Sequence, residues 1–237
     1  MSRVRFLSPP YDLLRMARHA EAEGDLRQAV RLFKKAYARI GRRGDIYHPE
    51  IFTRLALVLQ RVDRLPDAWK HLRGLLIYGC PGRNRYCHPA VHWLDQAAIY
   101  DKMRLLLHRA AADRLAVFCG VWFYMCRYQA CVTQPRLGKP GSLRAVRAVQ
   151  GLLTPLLQRA NCAALLEPLT AVMLEALHRP ANAQRWDALQ HQISGLLFPE
   201  GYPHAAPLAD IPLPYHAPVR SADAGNALPQ GVVTQPA

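Results

Sequence analysis

The sequence predicts an all-α fold built from paired helices, and two observations predict it. Apolar residues recur at helical spacing along most of the 237-residue chain, as in the run from Ala29 to Ile40. Segments that alternate apolar and polar side chains are lacking and β-branched residues hardly cluster, so we expect no strands. A composition of 51% hydrophobic and 20% charged residues is that of a folded protein.

The first helical pair is predicted from about Tyr11 to Glu23 and from about Leu26 to Ile40. Gly24-Asp25 interrupts the chain between the two helices. Phe33 is large enough to fill the space left by small residues that let the helices approach closely, which are Ala17, Ala20, Ala29 and Ala36.

A second pair begins near Pro49 and turns at Asp63-Arg64. Pro66 suits the first turn of its second helix, where the missing N–H is harmless. Ala29 and Ala68 lie 39 residues apart. The apolar positions of this pair are Phe52, Leu55, Ala56, Leu59, Ala68 and Leu72.

These two pairs resemble tetratricopeptide repeats, which are helix-turn-helix units with a period of about 34 residues that stack side by side. The resemblance covers about residues 10–79, in a predicted repeat domain of residues 1–79. It implies a right-handed α-solenoid that binds other macromolecules and rarely carries chemistry. It implies a non-catalytic protein-binding scaffold, such as an adaptor, a co-chaperone or a secretion-system accessory factor.

Residues 80–198 are predicted as a degenerate helical extension of the same solenoid. His88-Pro89 echoes His48-Pro49 and marks a weak third unit, although no glycine turn follows it. Pro155 is expected to kink or restart one helix. The helices predicted here run over about 90–110, 112–131, 142–160, 163–178 and 181–197.

Residues 199–237 are predicted as a Pro-rich disordered tail, because they hold eight of the 19 prolines and few core residues. The alternative is that the apolar stretch from Ile211 to Tyr215 docks on a surface in an extended form.

In the resembling family, the first helix of each repeat lines a groove that holds a partner. The Lys and Asn clamp of the chaperone-binding subfamily is absent here, since Leu14 and Arg18 stand in its place. The basic residues favour an acidic partner. The positions that the resemblance assigns to partner binding are Tyr11, Leu14, Arg18, Glu21, Thr53, Leu57, Gln60 and Arg61.

The chain has a formal net charge of +14, and a stripe of basic residues runs along the second predicted helix and just beyond its end. The stripe indicates either a solvated face or a surface for acidic proteins, and nucleic-acid binding is the alternative function. Its members are Arg27, Arg31, Lys34, Lys35, Arg39, Arg42 and Arg43.

A short loop carries two cysteines and two histidines, which are residue types that bind zinc in tetrahedral sites. They are Cys80, Cys87, His88 and His92. The two cysteines are seven positions apart, outside the usual zinc spacing, so we expect no metal. The loop is then an ordinary turn with one partly buried cysteine.

The motif search predicts neither an enzyme nor a cofactor, because it finds no phosphate-binding loop, nucleotide-binding turn or nucleophile elbow. Cys119 and Cys126 share one face of an apolar helix and are expected to be buried thiols. The run Leu115–Cys126 is too short to span a membrane, and the N-terminal residues lack a signal-like apolar run. We therefore expect a cytoplasmic protein, and the oligomeric state stays open.

Overall fold

A computed structural model describes residues 9–43, 47–82, 88–179, 182–203 and 208–214. The regular structure in these ranges is entirely helical, which confirms the all-α prediction. Short 3₁₀ turns occupy Pro135–Leu137 and Ala163–Leu165. The α-helices are α1 (Pro10–Ala22), α2 (Leu26–Arg43), α3 (Pro49–Arg61), α4 (Leu65–Tyr78), α5 (Pro89–Arg109), α6 (Asp113–Thr133), α7 (Pro140–Leu143), α8 (Val146–Arg159), α9 (Leu166–His178) and α10 (Ala183–Leu197).

The first hairpin, α1 and α2, packs as the small residues predicted. Ala17, Ala29 and Ala36 are fully buried, and Phe33 fills the interior beside them. Gly24 lies between the helices at a φ of 83°, a backbone conformation that glycine adopts without steric cost. The predicted break at Gly24-Asp25 is therefore confirmed.

Three later helix ends close with one recurring turn. Asp63, Ala111 and Asn161 follow α3, α5 and α8 at φ values of 56°, 56° and 52°. In each turn the next N–H donates to the carbonyl five residues earlier, at 2.9, 2.9 and 3.0 Å, as in a Schellman motif. The α5–α6 hairpin, where the sequence suggested a weak third unit, thus turns without glycine, because Ala111 adopts the left-handed conformation.

The two His-Pro pairs play the same role at two helix starts. His48 precedes α3 and His88 precedes α5, with proline at the first helical position in both. Each Nδ1 accepts from the N–H two residues on, at 3.4 Å from Glu50 and 3.2 Å from Ala90. The echo seen in the sequence is therefore a repeated helix cap.

Several of the later helices differ from their predicted extents. The helix expected over 142–160 is divided into α7 and α8, which part at Arg144-Ala145. Pro155 lies inside α8, and the helix continues through it. The Thr154 hydroxyl donates to the Gln150 carbonyl at 2.8 Å one turn earlier. The helix expected over 163–178 begins with a 3₁₀ turn.

One hydrophobic core extends from α1 to the last described segment and crosses the predicted boundary at residue 79. Consecutive helices pack on one another, and α5 with α6 form the longest hairpin. In the C-terminal half, Trp122 and Trp186 meet edge to face, and Trp93 packs on Trp186. The Arg185 guanidinium stacks 3.9 Å over the Trp186 ring.

Residues 208–214, which we name the C-terminal strap, correct the prediction of a disordered tail. Ile211 is buried, and Asp210 pairs with Arg73 of α4 at 2.7 Å. The Tyr100 hydroxyl of α5 donates to the Pro212 carbonyl at 2.6 Å. The alternative, docking of this apolar stretch, is what the structure shows up to Pro214, and residues 215–237 lie outside the described ranges.

Candidate functional site

Helices α1, α3 and α5 line a cleft of about 640 Å³. We name it the α1–α3–α5 cleft. Its wall is built from polar and charged side chains with one leucine and one alanine. The residues that line it are Arg18, Glu21, Ala22, Glu50, Thr53, Arg54, Leu57, Arg61 and Lys102.

A buried carboxylate organises the wall of the cleft. Glu21 is 6% exposed and receives two hydrogen bonds from Arg54, from Nε at 2.9 Å and from Nη2 at 2.7 Å. Arg61 adds a third from Nη1 at 3.1 Å. Both arginine side chains remain 49% exposed, and each guanidinium group has more N–H donors than its bonds to Glu21 use. Glu21 therefore fixes two arginines at the mouth of the cleft.

The charge balance of the cleft is positive. Four of its lining residues are cationic, whereas Glu21 and Glu50 supply the carboxylates. Arg18 is exposed and makes no ion pair with any residue that the structure describes. Lys102 pairs with its neighbour Asp101 at 3.1 Å. Arg104 also binds Asp101, at 2.6 Å, and the two cations hold the pKa of that carboxyl below its ordinary value despite its desolvation.

Five of the eight positions assigned to partner binding meet in this cleft, namely Arg18, Glu21, Thr53, Leu57 and Arg61. The other three lie elsewhere. Tyr11 is 67% exposed near the start of α1 and does not line the cleft, whereas Leu14 is 5% exposed and packs in the core. Gln60 accepts a hydrogen bond from Arg109 at 2.7 Å beside the cleft.

Two cationic residues of the cleft were missed by the sequence reasoning. Arg54 lies three and seven positions before Leu57 and Arg61, so helical spacing alone places it on their face. Lys102 belongs to α5, in a segment that the sequence marked only as degenerate. Periodicity would have found the first, and only the packing of α5 beside α3 reveals the second.

The basic stripe is solvent-facing over most of its length. The side chains of Arg27, Arg31, Lys34 and Lys35 are exposed and make no ion pair with another described residue. Arg39 is half-buried and has a bonding partner. The side chains of Arg42 and Arg43 lie outside the described part of the structure.

The Cys/His loop is described only at its two ends. Cys80 is buried, and the Nδ1 of His88 is occupied by its capping bond. His92 is half-buried on α5 and has a bonding partner, whereas Cys87 lies outside the described residues. Within the described ranges, His, Cys, Asp and Glu side chains form no metal-binding group of three or more.

The thiols of α6 lie in the core as predicted. Cys119 and Cys126 are fully buried, and desolvation raises the pKa of both well above the ordinary value, which suppresses the nucleophilic thiolate. By length and composition α6 is also apolar enough to cross a membrane, yet 83% of its apolar window is buried inside the protein.

The resemblance to tetratricopeptide repeats rests on the sequence positions given above. No protein-family model matches this chain, and comparisons with curated proteins and with solved structures gave no significant match.

Proposed function

We propose that this protein is a non-catalytic protein-binding scaffold, an adaptor whose tetratricopeptide-like solenoid holds an acidic partner in the α1–α3–α5 cleft. The observation that carries the proposal is the meeting of five expected binding positions, from two helical pairs, in one positively charged cleft. Such convergence is what a shared binding groove requires, because each repeat supplies only part of the contact surface.

The repeated turns support the solenoid part of the proposal. Three helix ends share one hydrogen-bonding pattern, and two helices start with the same His-Pro cap. Repetition of local geometry is typical of chains built from similar helical units. The units differ in length, since α5 and α6 have 21 residues each and α3 and α4 have 13 and 14.

The preorganised arginines support the acidic character of the partner. Arg54 and Arg61 are held by Glu21 before any ligand arrives, so less side-chain entropy is lost on binding. A guanidinium group that already binds one carboxylate keeps further N–H donors for another. Arg18 and Lys102 add positive charge at the same opening.

The proposal is tested by partner capture with two charge-matched variants of the full chain. Immobilised wild type, Arg18→Glu/Lys102→Glu and Arg27→Glu/Lys35→Glu are incubated with lysate of the native host, and captured proteins are identified by mass spectrometry. We expect acidic partners that the cleft variant loses and the stripe variant keeps. Partners that both variants retain, or lose equally, would contradict a role for the cleft.

Nucleic-acid binding by the basic stripe is the second candidate function. It is favoured by four exposed cations on α2 that lack ion pairs with described residues. If these side chains neutralise phosphates, binding of a labelled RNA or DNA duplex should fall about a hundredfold or more between low and moderate salt. Arg27→Glu/Lys35→Glu should abolish this binding and the cleft variant should not, so the two functions separate in the same pair of proteins.

A further inference from the structure

A second groove lies between α2 and α4 and shares no lining residue with the α1–α3–α5 cleft. We name it the α2–α4 groove, and its volume is about 530 Å³. Its floor is apolar and aromatic, with Leu55, Leu75 and the ring of Tyr37. The His71 ring stacks on the Tyr37 ring, with 5.9 Å between the ring centroids. The Nε2 of His71 lies 2.8 Å from the Phe52 carbonyl oxygen, so this nitrogen already has a hydrogen-bond partner within the protein.

Two large apolar side chains stand exposed at one end of this groove. Tyr78 is 87% exposed and Ile77 is 40% exposed, where α4 ends. Both residues line the groove. An aromatic side chain left in water beside an apolar floor is typical of an interaction site, because it can bury much area when a ligand arrives.

The charged residues that line the groove are all basic. Lys34, Lys70 and Arg73 line it, and none of the described lining residues is an Asp or a Glu. Lys34 and Lys70 are exposed and make no ion pair with another described residue. The occupant that complements this surface therefore carries carboxylates close to apolar side chains.

The chain itself shows how such a segment is held. At Arg73 the C-terminal strap supplies Asp210, paired at 2.7 Å, and the next residue, Ile211, is buried. The strap forms neither helix nor strand from Ala209 to Pro214, and the Ile211 N–H donates to the Ala209 carbonyl at 2.9 Å in a tight turn. A non-helical segment with an acidic residue beside an apolar one thus already pairs with one residue of this surface, Arg73.

We propose that the α2–α4 groove is a second docking site, which takes a non-helical acidic segment of a partner protein with an apolar or aromatic side chain beside its carboxylates. The apolar side chain packs against Tyr78 and Ile77, and the carboxylates pair with Lys34 and Lys70. The proposal does not depend on the α1–α3–α5 cleft, because the lining residues differ.

The test uses a fluorescein-labelled peptide, Gly-Asp-Asp-Ile-Pro-Leu-Asp-Tyr, and a matched peptide with Asn in place of each Asp. Anisotropy titrations with the full-length wild type should give a dissociation constant of about 10–100 µM for the acidic peptide. The Asn peptide should bind at least about tenfold more weakly. Equal binding of both peptides, or no binding of the acidic peptide at about 1 mM, would overturn the proposal.

Four variants locate the binding. Lys34→Glu/Lys70→Glu and Tyr78→Ser should each weaken the acidic peptide about tenfold or more, and both change only exposed side chains. Arg27→Glu/Lys35→Glu carries the same charge change on α2 outside the groove, so its binding should stay within about twofold of wild type. Arg18→Glu/Lys102→Glu should also bind normally, which separates this site from the cleft. Equal losses in all three charge variants would show attraction by net charge alone and would refute the groove.

Discussion

Gly120 lies where α6 is in close contact with a leucine side chain of α8. A Cβ added to Gly120 on α6 would lie 2.6 Å from Leu156 Cδ1 on α8, too close unless the leucine moves. The Gly120→Ala variant should therefore lose about 1–3 kcal/mol of unfolding free energy, measured by urea denaturation.

Gly151 is the matched control for this substitution. It lies in the middle of α8 with no atom within 4 Å of an added Cβ. Gly151→Ala should raise stability by about 0.5–1 kcal/mol, because alanine has the higher helix propensity. A Gly120→Ala protein as stable as Gly151→Ala would mean that α6 and α8 are not in this close contact.

Glu21 is the single residue on which the geometry of the cleft depends. Glu21→Gln removes the charge that holds Arg54 and Arg61, and both arginines can turn to solvent because they are half-exposed. We expect a loss of about 1–2 kcal/mol in urea unfolding, as for a charged hydrogen bond. Glu23→Gln, which loses only an exposed contact with His19, should change stability by less than about 0.5 kcal/mol. Equal effects would show that Glu21 is not a buried anchor.

At the scale of helices and turns, three Schellman motifs have the same backbone geometry although different residues form them. Asp63 and Asn161 tolerate the left-handed conformation, whereas alanine at that conformation costs about 1–2 kcal/mol. Ala111→Gly should therefore stabilise the protein by about 1 kcal/mol in thermal or urea unfolding. Ala110→Gly, at a φ of −89°, should not stabilise it. If both substitutions destabilise equally, the turn at Ala111 is not left-handed.

The contact between α2, α3 and α4 should make stability depend on pH through His71. Burial lowers the pKa of His71, its bond to the Phe52 carbonyl opposes the shift, and Lys34 adds to it. The unfolded chain then binds the proton more readily than the folded chain. The contribution of neutral His71 to the unfolding free energy is complete above the unfolded pKa of about 6.5. It is lost as the pH drops from there toward the lower folded pKa.

Urea midpoints at pH values of about 7.5, 6.5 and 5.5 test this dependence. Wild type should lose stability as pH falls. His19→Gln should lose stability to the same extent, because His19 is an exposed surface residue. His71→Gln keeps an N–H donor without a titrating ring and should flatten the profile. An unchanged slope in His71→Gln would assign the pH dependence to other groups.

At the scale of the whole molecule, the C-terminal strap ties three helices together. It bonds to α4 through Asp210 and to α5 through the Pro212 carbonyl. The Tyr202 hydroxyl donates to the Ala209 carbonyl at 2.7 Å, and the Tyr202 ring packs on Phe118 of α6. The strap therefore belongs to the cooperative core.

Ile211→Ala tests the contribution of the strap. The lost burial should lower the unfolding free energy by about 1–3 kcal/mol while the transition remains single. Asp210→Ala, which breaks a half-exposed ion pair, should cost less than about 1 kcal/mol. A calorimetric melt of Ile211→Ala that matches wild type would show that the strap is peripheral.

The local features of this protein were determined by its sequence. Helical periodicity, the glycine at position 24 and the proline at position 66 act over a few residues, so they could be interpreted without knowing the neighbours. The spacing of the small alanines likewise predicted the close α1–α2 hairpin. Five of the eight positions that the family resemblance assigned to partner binding line the α1–α3–α5 cleft, and that resemblance depends on the same local pattern.

The remaining features were decided only by the tertiary structure, since they depend on residues far apart in the chain. Arg54 reaches Glu21 across 33 positions, and Tyr100 reaches Pro212 across 112. Composition predicted that the strap is disordered, since the segment is rich in proline. Proline content does not reveal that Ile211 is buried against the rest of the protein. Leu14 was predicted to line the groove but is buried in the core, and Lys102 lines the cleft although it was not predicted to. Both differences arise because the packing of neighbouring helices determines which side of a helix faces the core.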